Sequence, residues 1–166
     1  MTKNLKILDC TFRDGGYYNL WDFSEEIINN YLYAMKEAKV DVVELGFRSL
    51  KNDGFMGACA FTSDEFLEKL NIDNSLSVSV MVNASELHLS DSLTSSLNKI
   101  FPNHAKNSPV DIVRIATHFN EFEKTLPASD WLKKNGYKVI FNLMQIADRS
   151  ENELNILLDK ASHFPI

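Results

Sequence analysis

The chain has 166 residues, about the length of one domain and too short for two of ordinary size. Its 17 Lys and Arg stand against 23 Asp and Glu, a net charge of −6 that argues against nucleic acid or an anionic membrane as the main partner. An apolar fraction of 45% with only 6 Gly and 4 Pro excludes a disordered or collagen-like chain, and Cys10 and Cys59 alone cannot build a disulfide framework.

In chain order, the opening residues MTKNLKILDCTF lack the apolar stretch of a signal peptide. No later run approaches the roughly 18 apolar residues of a membrane span. A soluble, cytoplasmic chain with no membrane partner is expected. β-rich runs follow at 5–10 (LKILDC), 41–47 (DVVELGF), 76–82 (LSVSVMV), 110–117 (VDIVRIAT) and 137–144 (YKVIFNLM). Between the first two, Ile27, Ile28, Tyr31, Leu32 and Met35 recur at helical spacing. Thr62 with Glu65 and Ser150 with Glu153 have capping-box spacing. Pro127 should break the 120–134 segment, leaving a short turn and a helix from about Ser129 or Asp130 that stops at Asn135 and Gly136.

Strands alternating with helices imply βαβ units and a parallel sheet. The runs recur every ~33 residues, so eight units would need about 264, close to the length of a (β/α)₈ barrel. This chain holds five. A complete doubly wound domain has the same length, but its strands lie under helices on both faces and should be apolar on both parities. Here one parity is repeatedly polar: Asp9, Thr11 and Arg13; Glu44, Gly46 and Arg48; Ser77, Ser79 and Asn83; Arg114 and His118; Asn142. The other holds Leu8, Cys10 and Phe12; Val43, Leu45 and Phe47; Val78, Val80 and Val82; Val113 and Ile115; Phe141 and Leu143. The pattern is that of a barrel wall, with one face under helices and the other lining a lumen. The expected fold is a partial TIM (β/α)₈ barrel of about five βα units with parallel strands.

Arg13 and Asp14, just past the first run, place a fixed cation beside a hard oxygen ligand, and Gly15 and Gly16 let a ligand approach the backbone. The alternative is a surface turn with a solvated ion pair. Glu44 and Arg114 lie inside apolar runs, where an unpaired charge would cost several kcal/mol, so each needs a partner; a structural pair across the barrel would satisfy both. His118 ends the fourth run and suits a ligand, a base or a substrate donor, or is simply accommodated. The 48–63 segment is a long loop on the same end as Arg13, either covering the site or connecting elements.

Taken together, LDCTFRDGGYYN, VVELGF, VRIATH and GYKVIFNLMQ resemble the metal-dependent aldolase and acyltransferase barrels of the hydroxymethylglutaryl-CoA lyase type, and among these most of all the 4-hydroxy-2-oxovalerate aldolases. The likeness runs from about residue 7 to 145. It implies a carbon–carbon lyase working through a pyruvate-type enolate, with a small-molecule 2-oxo acid as substrate and a divalent cation, Mn or Mg, as cofactor. Carried over by position, Asp14 binds the metal. Arg13, Glu44 and Tyr17 are catalytic, and Arg114, His118, Gly15 and Asn142 face the substrate. A metal and a guanidinium beside the developing oxyanion are what C–C cleavage next to a ketone needs.

The chain departs from that family twice. A His-x-His pair supplies the family's other metal ligands, and none occurs here, so residues 1–166 are expected to be the N-terminal portion of a longer catalytic domain. Tyr17 stands where the aldolases carry a His base, and a phenol is a poor base at neutral pH. A Claisen-type acyltransferase and a non-catalytic binding remnant are the competing functions. A five-eighths barrel leaves strand edges and apolar surface open. Self-association is the expected remedy, unless the last helix covers the gap with Leu154, Leu157 and Leu158.

Overall fold

The computed structural model describes residues 5–51 and 54–166. Residues 1–4, and positions 52 and 53 of the long loop expected over the site, lie outside the described residues. Five strands, β1 (Leu8–Asp9), β2 (Val42–Phe47), β3 (Ser77–Asn83), β4 (Ile112–Thr117) and β5 (Lys138–Leu143), form one sheet in the order β1-β2-β3-β4-β5. Every pairing is parallel, and the sheet curls into a half-barrel. Sequential order with β1 at an edge is a barrel's connectivity. A doubly wound sheet reverses its strand order midway.

The helices between and after the strands are α1 (Thr11–Gly15), α2 (Glu25–Glu37), α3 (Asp64–Leu67), α4 (Ala84–Leu87), α5 (Leu93–Ile100), α6 (Phe119–Thr125), α7 (Pro127–Lys134) and α8 (Glu151–Ala161). Ser24 caps α2 by accepting the Ile27 N–H, and Ile28 and Leu32 bury its inner stripe, whereas Ile27 is turned to solvent. Ser150 and Glu153 form the expected capping box of α8. At α3 the cap is Ser63, not Thr62. The Thr62 hydroxyl is buried and donates to the Phe47 carbonyl at 2.6 Å. Pro127 does not leave a turn before a later helix. It is the first residue of α7, where its missing N–H costs nothing, and α6 runs up to it. Gly136, at φ 86°, stops α7 as expected.

The main core lies between the sheet's outer face and the helices, with Val43, Val78, Val80, Val113 and Ile115 at its centre. Helix α8 packs Leu157 and Ala161 onto Phe122 and Leu126 of the α6 region, with Phe141 and Leu143 of β5 against them. It therefore sits on the outside and does not close the open edge, and Leu158 remains exposed. Among the described residues β1 and β5 are edge strands, and no helix is long and apolar enough to cross a membrane.

Register corrects the inward-facing assignment in two places. Neighbours in a parallel ladder share a face. Glu44 pairs with Ser79, Met81 with Arg114, and Asn83 with Ala116 and through it Asn142, so these residues line the concave side. Asp9, however, pairs with Val43 and lies on the helix side, where the Tyr31 hydroxyl of α2 donates to it at 2.6 Å. In β2 the register shifts between Glu44 and Phe47, so Phe47 comes level with Met81 and joins the concave side. Arg48 goes the other way. It is buried beneath α3 and α5, paired with Asp64 and bonded to the Thr62 and Ile100 carbonyls.

Candidate active site

The concave face carries one continuous charged network. Glu44, fully buried, accepts from Arg13 Nε and Arg114 Nη1 at 2.9 Å each through one oxygen, and from Ser79 Oγ at 3.1 Å through the other. Arg13 also reaches Asp14 at 2.5 Å, and Arg114 Nη2 lies 3.4 Å from Asn142 Oδ1. Both arginine side chains are 15% exposed, so each keeps a little contact with solvent. Burial alone would pull Arg13 down, but the bond and charge of Glu44, with Asp14, outweigh it and hold the guanidinium above its ordinary range.

Arg13 and Asp14 do not sit in a turn. They belong to α1, which starts directly after β1 because Asp9 accepts the Thr11 N–H at 2.9 Å. Both glycines that follow are helical, with φ near −60°. Gly16 is buried under Trp21: a Cβ there would lie 1.9 Å from the indole Cδ1. It packs the wall and does not open the backbone to a ligand, whereas Gly15 has room, its nearest neighbour being Phe23 at 3.9 Å. The Trp21 indole N–H donates to the Arg13 carbonyl at 2.9 Å and so fixes α1. To place that ring, Leu20 and Trp21 both adopt left-handed backbone, φ 58° and 57°, a conformation that costs each about 1–2 kcal/mol. Gly57 N–H to the Leu20 carbonyl, 2.8 Å, secures the segment from the loop after β2.

Tyr17 is 63% exposed and stands edge-on to Trp21 (4.7 Å between ring centres) and to Phe47 (6.1 Å). Its hydroxyl has no partner among the described residues. The Arg13 guanidinium lies 5.9 Å from the Phe47 ring centre, within cation–π range. His118, just after β4, is exposed; its backbone N–H donates to Glu121 at the start of α6, and among the described residues no hydrogen bond or ion pair joins it to the Arg13–Glu44–Arg114 network. The structure thus brings together Arg13, Asp14, Glu44, Arg114 and Asn142, places Tyr17 at the rim through Phe47, and leaves His118 apart.

Asp14 has an exposed carboxylate bonded to Arg13, with the Cys10 thiol 3.4 Å from its second oxygen. Burial, and then that bond, push the Cys10 thiol up. Among the described residues no three His, Cys, Asp or Glu side chains come together as a metal site. These residues supply one carboxylate where catalytic metals normally take about three protein ligands.

Beside the network, a cavity of about 210 Å³ opens between Tyr17, Trp21 and Phe47 on one side and Ser49, Asn83 and Glu86 on the other. Glu86 is buried and accepts from Ser49 Oγ, the Leu50 N–H and Asn83 Nδ2. Residues of the 48–63 loop line this space as well, so the loop walls the site in addition to connecting elements. The sequence reading assigned no role to Phe47, Ser79 or Glu86. Ser79 carried a signal in its inward parity; Glu86, on a helix, looked like any solvated charge.

A crystal structure of the N-terminal domain of a putative aldolase from Bacteroides vulgatus matches 96% of this chain with a TM-score of 0.69 and 26% sequence identity. The chain spans 61% of that structure's length. No protein-family model matches the chain, and no curated protein matches it.

Proposed function

We propose that this chain is the enolate-handling part of a metal-dependent aldolase of the hydroxymethylglutaryl-CoA lyase type, cleaving 4-hydroxy-2-oxo acids. The observation that carries the reading is the shared carboxylate: Glu44 fixes two guanidiniums side by side on the concave face, each with N–H groups left over. The likeness to an aldolase N-terminal domain supports the same class of enzyme.

In such a cleavage the C3–C4 bond breaks and its electron pair moves onto the C2 carbonyl as an enolate, while the C4 hydroxyl gives its proton to water and the C4 fragment leaves as an aldehyde. The enolate then takes a proton from water at C3 and departs as the 2-oxo acid. Arg13 donates to the developing C2 oxyanion, a group whose charge grows toward the transition state and rewards a preorganised cation. Arg114, oriented by Glu44 and Asn142, binds the substrate carboxylate, for which a guanidinium fork is well matched. The Tyr17 hydroxyl, at the rim, faces the C4 oxygen. Asp14 would offer one carboxylate to a divalent cation, and such a cation, when bound, would polarise the C2 carbonyl.

The test is pyruvate release from a series of 4-hydroxy-2-oxo acids by the protein that carries this chain. Cleavage abolished in Arg13→Lys and slowed in Tyr17→Phe supports the proposal. Thiol release from an acyl-CoA in the presence of a 2-oxo acid would assign the site to acyl transfer, and neither reaction would leave a binding role.

A further inference from the structure

The cavity walled by Phe47 has a chemistry of its own. Its apolar side is aromatic: Tyr17, Trp21 and Phe47 pack edge to face, with ring centres 4.7 to 6.1 Å apart. Opposite lies Glu86, only 2% exposed. Its Oε2 is filled by Ser49 Oγ at 2.7 Å and the Leu50 N–H at 2.6 Å, while Oε1 takes a single bond, from Asn83 Nδ2 at 3.0 Å. A carboxylate accepts about four hydrogen bonds, so one place on Oε1 is open among the described residues. Asn83 Oδ1 likewise receives no donor there. Lys51 lines the same cavity and makes no ion pair with a described carboxylate.

These groups select against three kinds of ligand. A second carboxylate would face Glu86 and bring no donor. An ammonium would share the cavity with Lys51 and could accept nothing from it. A purely apolar chain would suit the rings but displace water from Glu86 and Asn83 without replacing its bonds. A hydroxyl both donates and accepts, and a short hydroxylated carbon chain can lay its C–H face on the rings while its oxygens meet Glu86, Asn83 and Lys51. The volume equals about seven waters, room for a chain of a few carbons.

We infer that this cavity holds the non-reacting end of the substrate and that this end is a neutral, polyhydroxylated chain. The inference rests on the aldolase reading for the word substrate; Phe47 is common to both places, lining the cavity and lying 5.9 Å from the Arg13 guanidinium. Glu86, Asn83 and Lys51 are then specificity-determining residues that leave the cleaved bond untouched.

The experiment compares four probes of similar length on the whole chain: erythritol, 1-butanol, 1,4-diaminobutane and succinate. Binding is followed by ¹H–¹⁵N spectra at the Trp21 indole and the Asn83 side-chain amide, with the indole of Trp131 on α7 as internal control. Erythritol is expected to shift Trp21 and Asn83 but not Trp131, and to bind at least about tenfold more tightly than the other three, the worth of one hydrogen bond to a charged group. Glu86→Gln should erase that preference. Because this change could also loosen the loop at Ser49 and Leu50, the exposed Lys51→Ala provides a second reading and should weaken erythritol alone. Equal or tighter binding of any other probe, or no shift at Trp21 at the highest soluble concentration of erythritol, overturns the inference. None of the probes is a 2-oxo acid. Erythritol binding without any cleavage activity would therefore sink the aldolase proposal alone, and cleavage without a hydroxyl preference would sink this inference alone.

Discussion

Replacing Glu44 by Gln removes the charge that holds two cations together and keeps the side chain's shape. Two guanidinium nitrogens each 2.9 Å from one carboxylate oxygen lie within about 6 Å of each other. At an effective dielectric of ~20, two unit charges at that separation repel by about 3 kcal/mol. In the native site the carboxylate between them more than offsets this; in Glu44→Gln only the exposed Asp14, bonded to Arg13, still opposes it. The figure agrees with the lower end of the about 3–5 kcal/mol lost when one partner of a buried ion pair is removed, and the lower end is appropriate because both arginines are 15% exposed and water screens part of the repulsion. For a domain of this size 1 kcal/mol moves the melting temperature by about 2–4 °C.

Thermal melts followed by circular dichroism should therefore place Glu44→Gln about 6–12 °C below the parent. Adding Arg114→Met to it should recover part of the loss, since one of the two mutually repelling cations is gone. The functional readout is separate: Arg13 should no longer be fixed, so pyruvate or oxamate, added as carboxylate probes, should shift its Nε–H signal less in Glu44→Gln than in the parent. A Glu44→Gln protein that melts within about 2 °C of the parent, or a double variant less stable than the single one, would refute the claim that this carboxylate organises the site.

The glycine pair separates packing from permissiveness: Gly16→Ala should destabilise strongly by driving a methyl into the Trp21 ring, whereas Gly15→Ala, in open space and helical backbone, should be neutral or raise stability by up to about 1 kcal/mol in parallel melts. Burial pushes the Asp64 carboxyl up, but the bonds from Asn103, Ser108 and Arg48 outweigh it and hold it below its ordinary value. Its contribution is thus present above the unfolded carboxylate range near pH 4 and lost as pH falls through the lower folded value, so Asp64→Asn should be less stable at pH 7 and show a flatter acid limb. Mn²⁺ should bind the chain weakly and Asp14→Asn should remove what binding there is; micromolar or tighter binding by calorimetry would show that the chain completes a site by itself. Light scattering should find a dimer or larger assembly, because the edges of β1 and β5 and the concave Ile140, 42% exposed, lack cover among the described residues.

The barrel was legible because its signals are repetitive. Inward polar positions on β2 to β5 follow a period of two and place Glu44, Ser79, Arg114 and Asn142 on one face, and the cost of an unpaired buried charge made Glu44 and Arg114 candidates for mutual pairing before any coordinate did. What escaped was non-periodic. The ladder of β1 is only two residues long, and alternation extrapolated through Thr11 and Arg13 crosses into a helix, so Asp9 was assigned to the wrong face although Arg13 does reach the site. The Thr62 and Ser63 exchange has the same origin, since two adjacent hydroxyl residues compete for one cap and a tertiary bond to Phe47 decides between them. Glu86 gave no sign because two of its three partners, Ser49 and Leu50, are more than thirty residues away.

The β2 irregularity ties these pieces together. Strict alternation would put Gly46 and Arg48 on the concave side and Phe47 in the outer core. Instead the extra residue between Glu44 and Phe47 reverses the parity at the C-terminal end of the strand, where a barrel keeps its chemistry. Gly46 is what the reversal requires: the Cys59 carbonyl lies 1.7 Å from where a Cβ would stand, so the loop after β2 can close against the strand only there. Phe47 is thereby delivered to the concave side, where its ring takes the Arg13 guanidinium and walls the cavity. Arg48 is delivered to the outside, where Asp64, two carbonyls and the Phe101 ring engage it and anchor α3 and α5 to the strand end. One shift of register thus puts an aromatic wall where the site needs apolar surface, and withdraws from it a third arginine whose charge would otherwise oppose those of Arg13 and Arg114.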